Sequence, residues 1–194
     1  MKTIYLIRHG ENEEQFGDPP LTKKGEQQAN RIVLDNEIDI IYTSPSLRAV
    51  QTASIINEKL GVPQKVNALL KERLDMTDVP DLAYGEYRHL CYLSANDSNF
   101  VLPNGETGYT SGLRLEYLIA VTANQIDSAG VFVTHQGILS DFMRNKFSPE
   151  YLDEKYSHYS RMRADAFKNC SITKLLVDGN QYEIDYLASA KHLR

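Results

Sequence analysis

Three short apolar runs in this chain end on the same kind of residue cluster. Ile4-Tyr5-Leu6-Ile7 runs into Arg8-His9-Gly10, and Ile38-Asp39-Ile40-Ile41-Tyr42-Thr43 runs into Ser44-Pro45-Ser46-Leu47-Arg48. Val131-Phe132-Val133-Thr134 runs into His135-Gln136-Gly137. Short runs of β-branched and aromatic residues, bounded by turn-forming or charged ones, read as buried strands of a parallel sheet. Ligands of open α/β sheets bind beyond the carboxyl ends of the strands. If the three strands are parallel neighbours, two arginines and two histidines converge on one sheet edge. Gly10 lets the chain turn sharply there and lets a ligand come close. The pattern reads as an anion site with a nucleophile or base inside it.

Composition narrows the partners. The 194 residues suffice for one domain with a real core, or one with a small insertion, and the net charge of −5 carries no general nucleic-acid footprint. An acidic protein that binds an anion does so with a local positive cluster, so the placement of Arg8 and Arg48 matters more than the arginine count. Cys91 and Cys170 lie far apart in no CxxC pattern, which fits a reducing cytoplasm rather than a disulfide framework. The opening apolar run is too short for a signal h-region and is interrupted by Arg8. No stretch approaches the ~20 apolar residues that span a bilayer.

Between the strands the periodicity is helical. Leu21-Thr22 opens a helix with Thr22 as N-cap and Ala29, Ile32 and Val33 as its apolar stripe. Ser44-Pro45 starts the next, with proline at the first helical position, Leu47, Val50, Ala53, Ile56 and Leu60 on one face, and Gly61 and Pro63 at its end. Residues 64–72 read as a short extended segment leading to Glu72. Residues 73–112, rich in Asp, Asn, Pro, Gly and aromatics without a sustained period, read as an irregular lid inserted over the sheet edge. Helices are expected over 113–127 and after His135, and a helix plus loop over 150–168. A hairpin is expected around Asp178-Gly179-Asn180. The expected fold is α/β: a three-layer sandwich on a mostly parallel sheet with an antiparallel edge strand, in a single domain over 1–194.

The motifs, taken in order, carry a family resemblance. Leu6-Ile7-Arg8-His9-Gly10-Glu11 resembles the signature of the histidine phosphatase superfamily, also called phosphoglycerate mutase-like. Leu21-Thr22 with Gly25 and Gln28-Ala29 resembles its next segment, and Ser44 through Ala53 its second arginine motif. Leu70-Lys71-Glu72 resembles its acidic motif, Asn104-Gly105-Glu106-Thr107 its Gly-Glu-Ser segment, and Val133-Thr134-His135-Gln136-Gly137 its second histidine motif. Asn169-Cys170-Ser171-Ile172 and His192-Leu193 match near the end.

The resemblance implies two-step phosphoryl transfer through a phosphohistidine, with no cofactor and no metal. His9 is then the nucleophile. Arg8, Arg48 and His135, the last doubly protonated, hold the nonbridging phosphoryl oxygens. Glu72 is the first candidate for general acid, and Glu106 is the second, or else a residue that orients the pocket. Asn12, Gln15 and the Gln136 amide are candidates for substrate binding; Gln136 stands where the family often has glycine. Glu11 is expected to buttress the site, with Glu13 and Glu14 facing solvent. Tyr84, Tyr87, Arg88, His89 and Tyr92 either read the rest of the substrate or pack the lid, and His158 has no ligand-like spacing. The expected activity is hydrolysis of a small phosphorylated metabolite by a cytoplasmic monomer or homodimer without nucleic-acid or membrane partners. The alternatives are phosphoglycerate mutase and a phosphate-binding module without turnover.

Overall fold

The alternation of β1 (Lys2–Arg8) sends Ile4 and Leu6 to one side of the sheet and Tyr5 and Ile7 to the other, and all four are fully buried. Both faces must therefore be covered. In the computed structural model, which describes residues 1–194 apart from the Arg163 side chain, they are. Helices α1 (Lys23–Asn30) and α2 (Leu47–Leu60) lie on the Tyr5 side, where Ala29, Ala49, Ala53 and Ile56 pack with Ile41, Val131 and Val133. Helices α4 (Gly108–Ala123) and α5 (Gln136–Lys146) cover the other side, where Leu115, Ile119, Ile138, Leu139 and Phe142 meet Ile4, Leu6 and Phe132. Each fully buried Leu, Ile or Phe contributes roughly 1.5–3 kcal/mol relative to exposure.

The sheet has six strands. With β2 (Ile38–Thr43), β3 (Gln64–Val66), β4 (Ala129–Thr134), β5 (Ile172–Asp178) and β6 (Gln181–Ser189), the spatial order is β3-β2-β4-β1-β5-β6. β4 lies between β1 and β2, parallel to both, with Arg8 opposite Thr134 and Thr43 opposite Val133. All three motif-bearing strands therefore end at one level on one edge. β5 runs antiparallel to β1 and β6 antiparallel to β5. The antiparallel edge is the expected hairpin at Gly179 (φ 56°): β5 runs against the common direction, and the edge strand β6, antiparallel to β5, turns back to it.

Thr22 caps α1 as expected, accepting from the Gly25 amide, but α1 stops at Asn30 and leaves Val33 exposed. Pro45 lies outside α2: Ser46 takes the N-cap position and Asp18, from the preceding loop, accepts the Leu47 N–H. The buried face of α2 is Arg48, Ala49, Thr52, Ala53 and Ile56, with Leu47 largely exposed. A helical face that includes an arginine is invisible to a search for apolar period.

Residues 73–112 are not irregular. They contain a 3₁₀ turn at Met76–Asp78, helix α3 (Tyr84–Asn96) and the start of α4, which begins at Gly108 because Thr107 and Thr110 cap it reciprocally. Leu74, Val79 and Leu102 form a small core of their own, with Leu82, Tyr87, Leu90 and Phe100 packed on it. Only Ser94 of α3 is buried, so the helix has no strong apolar stripe to read. The 150–168 region forms α6 (Pro149–Lys155), α7 (Tyr159–Met162) and a 3₁₀ turn at Arg163–Ala166.

Gly10 and Gly25 pack back to back behind the first motif. A Cβ on Gly10 would lie 2.7 Å from the Gly25 carbonyl oxygen, and one on Gly25 would collide with the Glu11 carbonyl. Gly25→Ala is expected to destabilise the protein by about 1–3 kcal/mol, the usual overpacking cost, and to displace the loop after β1. Urea unfolding checks this; wild-type stability would show that the loop yields freely.

Candidate active site

The first residue beyond β1 is His9, and its backbone is tied on three sides. Its N–H donates to Thr134 O (2.9 Å), its carbonyl accepts from the Cys170 amide (3.2 Å) and Asn169 Nδ2 (3.2 Å), and the next amide, Gly10, donates to Thr52 Oγ1 (3.0 Å). β4, α2 and the turn before β5 therefore fix where the imidazole stands. The ring is buried, and its Nδ1 lies 2.8 Å from the Gly10 carbonyl. A carbonyl only accepts, so Nδ1 carries the proton and Nε2 carries the lone pair. Arg48 Nε points at that lone pair from 3.3 Å.

His135, the N-cap of α5, is oriented the opposite way. Its Nδ1 lies 3.2 Å from an Arg48 terminal nitrogen, which only donates, and its Nε2 lies 2.7 Å from Ser44 Oγ. It is therefore a neutral Nε2–H imidazole, not the doubly protonated donor expected from the sequence. Burial, followed by Arg48, Arg114 and Arg8, holds its pKa well below the usual histidine value. Burial, followed by His135, Arg48 and Arg8, does the same for His9. The two rings meet edge to face, with centroids 5.1 Å apart.

The arginines enter from different elements. Arg8, at the end of β1, donates to Phe167 O (2.7 Å), and burial lowers its pKa from the ordinary value. Arg48, in the first turn of α2, is the centre of the site. Besides the two imidazoles, its terminal nitrogens lie 2.6 Å from Asp75 Oδ2 and 3.5 Å from Asp18 Oδ1.

Glu72 supplies the cap that the His135 side chain does not. Its two carboxylate oxygens accept the Gly137 N–H (2.8 Å) and Ile138 N–H (2.9 Å) in the first turn of α5, and one of them also accepts the Arg73 N–H (2.9 Å). A carboxylate belongs at a helix N-terminus, where free N–H groups and the positive end of the dipole meet. A Cβ on Gly137 would come within 2.5 Å of Glu72 Oε1, so glycine is needed for this approach.

A cleft of about 660 Å³ opens over these groups. Arg8, His9, Arg48, Glu72, Asn12, Gln15 and Gln136 line it, as do Tyr84, Tyr87 and Arg88 from α3. Glu106 does not. Its carboxylate is clamped by Arg114 Nε (2.5 Å) and a terminal nitrogen (3.0 Å) while Arg114 also donates to Leu69 O. Glu106 therefore anchors the lid to α4. Glu11 pairs with Lys24 (2.7 Å), and Glu13 and Glu14 are exposed on the cleft rim. His89 is not on the wall, and Tyr92 lines a neighbouring cavity instead. The residues missed by sequence reasoning are Ser44, Asp18 and Asp75. Ser44 was legible as the first residue past β2; Asp75 stood in a stretch without period.

The chain matches the model of the histidine phosphatase superfamily (branch 1) over residues 4–189. It belongs to that family. Phosphatase PhoE of Bacillus subtilis, itself named uncharacterized, is 36% identical over 96 residues, covering 44% of this chain and 45% of that protein. A 2,3-bisphosphoglycerate-dependent phosphoglycerate mutase of Bartonella quintana is 30% identical over 158 residues, covering 70% of this chain and 76% of that protein. The chain thus spans under half the length of the Bacillus relative. The fold matches that of Entamoeba histolytica phosphoserine phosphatase in complex with 3-phosphoglyceric acid, with a TM-score of 0.70 at 22% identity over 100% of both chains. Among the described residues no helix is long and apolar enough to cross a membrane, and no group of three or more His, Cys, Asp and Glu side chains is placed to hold a metal ion.

Nuclear magnetic resonance of ring nitrogens should show His9 as the Nδ1–H tautomer and His135 as the Nε2–H tautomer through pH 6.5. The sign for stability follows. The unfolded chain protonates both rings below about pH 6.5 and the native state does not, so stability present above that pH is lost as pH falls. Ordinary titration of either ring near pH 6.5 would contradict this geometry.

Proposed function

We propose that this histidine phosphatase-family protein is a phosphomonoester hydrolase working through a phosphohistidine on His9. One observation carries the reading: a buried imidazole with its lone pair on Nε2 is held against the Arg48 guanidinium in a cleft that Arg8 also lines. Nε2 attacks phosphorus in line, and the ester oxygen leaves. Water then attacks phosphorus from the same cleft, and the nitrogen–phosphorus bond breaks. One difficult displacement becomes two easier ones. The cationic forks of Arg8 and Arg48 hold the nonbridging oxygens, where fixed donors lower the barrier. His135 is not among the residues lining the cleft; its Nδ1 accepts from Arg48 and its one N–H is given to Ser44, so it holds the Arg48 guanidinium in place.

The substrate proposed is a small phosphorylated metabolite. Tyr84, Tyr87 and Arg88 of the lid, with Asn12, Gln15 and Gln136 on the facing wall, surround the part of the molecule beyond the phosphate. Nothing in this scheme calls for a metal ion. The two free cysteines, Cys91 and Cys170, fit a reducing compartment such as the cytoplasm. The second reading is phosphoglycerate mutase, favoured by the Bartonella relative. It predicts isomerisation primed by a bisphosphate that outruns hydrolysis.

Incubation with ³²P-labelled ester and alkaline quenching should trap acid-labile label on His9. Turnover should persist in EDTA and vanish in His9→Ala, and Arg48→Ala should cost roughly 2–4 kcal/mol of transition-state stabilisation, as lost oxyanion donors do. Label on another residue would overturn the reading. Bisphosphate-dependent isomerisation faster than hydrolysis would decide for the mutase, and phosphate binding without turnover for a binding module.

A further inference from the structure

The buried end of the cleft, beside His9 and Arg48, is where the proposed reaction places the phosphate. Its outer part is bordered by large apolar side chains. Phe16 and Pro19 come from the loop between β1 and α1, and Met76, Tyr84 and Tyr87 come from the lid. Phe16 is 69% exposed and Tyr84 55% exposed. Among the described residues neither packs into one of the three apolar cores. A single exposed aromatic side chain is ordinary. Two of them, brought by separate elements to one concave site, have the character of a binding surface for an apolar ring.

Both side chains stand on anchored backbone. The loop that carries Phe16 is closed at its base by two backbone bonds, Thr22 N–H to Glu11 O (2.9 Å) and Glu13 N–H to Pro20 O (2.9 Å). Gly17 turns the loop with a φ of 88°, and Asp18 then accepts the Leu47 N–H (2.9 Å) at the start of α2. Tyr84 opens α3, where Glu86 accepts the Ala83 N–H (3.0 Å). The Tyr84 ring stacks on Tyr87, with centroids 6.3 Å apart and planes 29° from parallel. The Tyr87 hydroxyl donates to Leu74 O (3.2 Å), and Tyr87 rests on the small core of the lid. A planar group that stacks here meets a surface already assembled. The charges on the same rim decide what else fits. Glu13 and Glu14 are exposed there beside Arg88, while Arg8 and Arg48 are committed to the phosphate. Two carboxylates against one guanidinium give no net attraction for a second anionic group.

Resting on the phosphohistidine reading, we propose that the substrates are phosphomonoesters of uncharged, ring-bearing alcohols, and that Phe16 and Tyr84 hold the ring and set that preference. The bond that breaks is still the one between phosphorus and the ester oxygen. The ring adds binding energy remote from phosphorus, and such energy is available to orient the ester at the reacting centre.

The test uses the whole chain and three alkyl esters: 2-phenylethyl phosphate, ethyl phosphate and 3-phosphoglycerate. The first two release alcohols of closely similar acidity, so a difference between them reports the ring and not the chemistry of departure. Wild-type kcat/KM should be about tenfold or more higher for 2-phenylethyl phosphate than for ethyl phosphate, the order expected for burying a ring against aromatic faces. It should also exceed the value for 3-phosphoglycerate. Phe16→Ala and Tyr84→Ala should each lower the phenylethyl-to-ethyl ratio by about threefold or more, and Tyr84→Phe, which keeps the ring, should preserve it. Both positions are exposed, so these substitutions leave the fold intact. A wild-type ratio near one, a ratio that neither alanine variant moves, or a preference for 3-phosphoglycerate would each overturn the assignment. Label trapped on His9 alongside such a result leaves the phosphohistidine reading standing; label on no histidine with any of the three esters removes that reading itself.

Discussion

Burying a guanidinium costs several kcal/mol unless its donors are matched, and Arg48 is 9% exposed. The matching is what organises this site. Nε meets the lone pair of His9, one terminal nitrogen meets both His135 and Asp75, and the other lies near Asp18. Burial first, and then the charges around them, keep the two imidazoles neutral, and a neutral imidazole is what a nitrogen nucleophile has to be. In the proposed reaction, the cation that receives phosphate also faces the nitrogen that attacks it.

That hub depends on strand register. β1, β4 and β2 end level with one another, so the residues after each strand fall within a side chain's reach of a common point. The next support is the turn after Leu70, where near neighbours in sequence are held in different directions. Glu72 caps α5, Arg73 donates to buried Asp141 (2.7 Å), and Asp75 reaches Arg48. Asp141 also accepts from Arg144 (2.8 Å), and burial pushes its pKa up to about 6 despite the two arginines. A fourth tie joins this turn to the sheet: Thr134 Oγ1, at the end of β4, donates to Leu70 O (2.7 Å). The lid is thus pinned at its root and carries its own small core beyond it.

Legibility in the sequence followed the range of the interactions. Thr22 was readable as a cap because its acceptor role lies three residues away, and the hairpin at Gly179 because its turn chemistry is local. His9, Arg8, His135 and Arg48 were readable because each sits at a strand end or in the helix turn just after it. Helix α3 was not, since its half-buried face mixes tyrosine, cysteine and leucine and rests on a core formed by distant Leu74 and Leu102. Glu106 was misjudged because its motif says nothing of Arg114, eight residues on, which takes its carboxylate away from the cleft.

The chain's order of residues alone determined the buried parallel strands, the arginine and histidine clusters at their ends and the family to which they belong, because strand period and motif spacing are properties of neighbours. The tertiary structure alone decided which ring nitrogen of each histidine holds the proton, that Glu72 serves as a cap for α5, and that Asp75 stands against Arg48. Those outcomes depend on burial and, apart from the Gly10 carbonyl beside His9, on partners 27 to 91 residues apart, and no local pattern encodes which distant partner a side chain will meet.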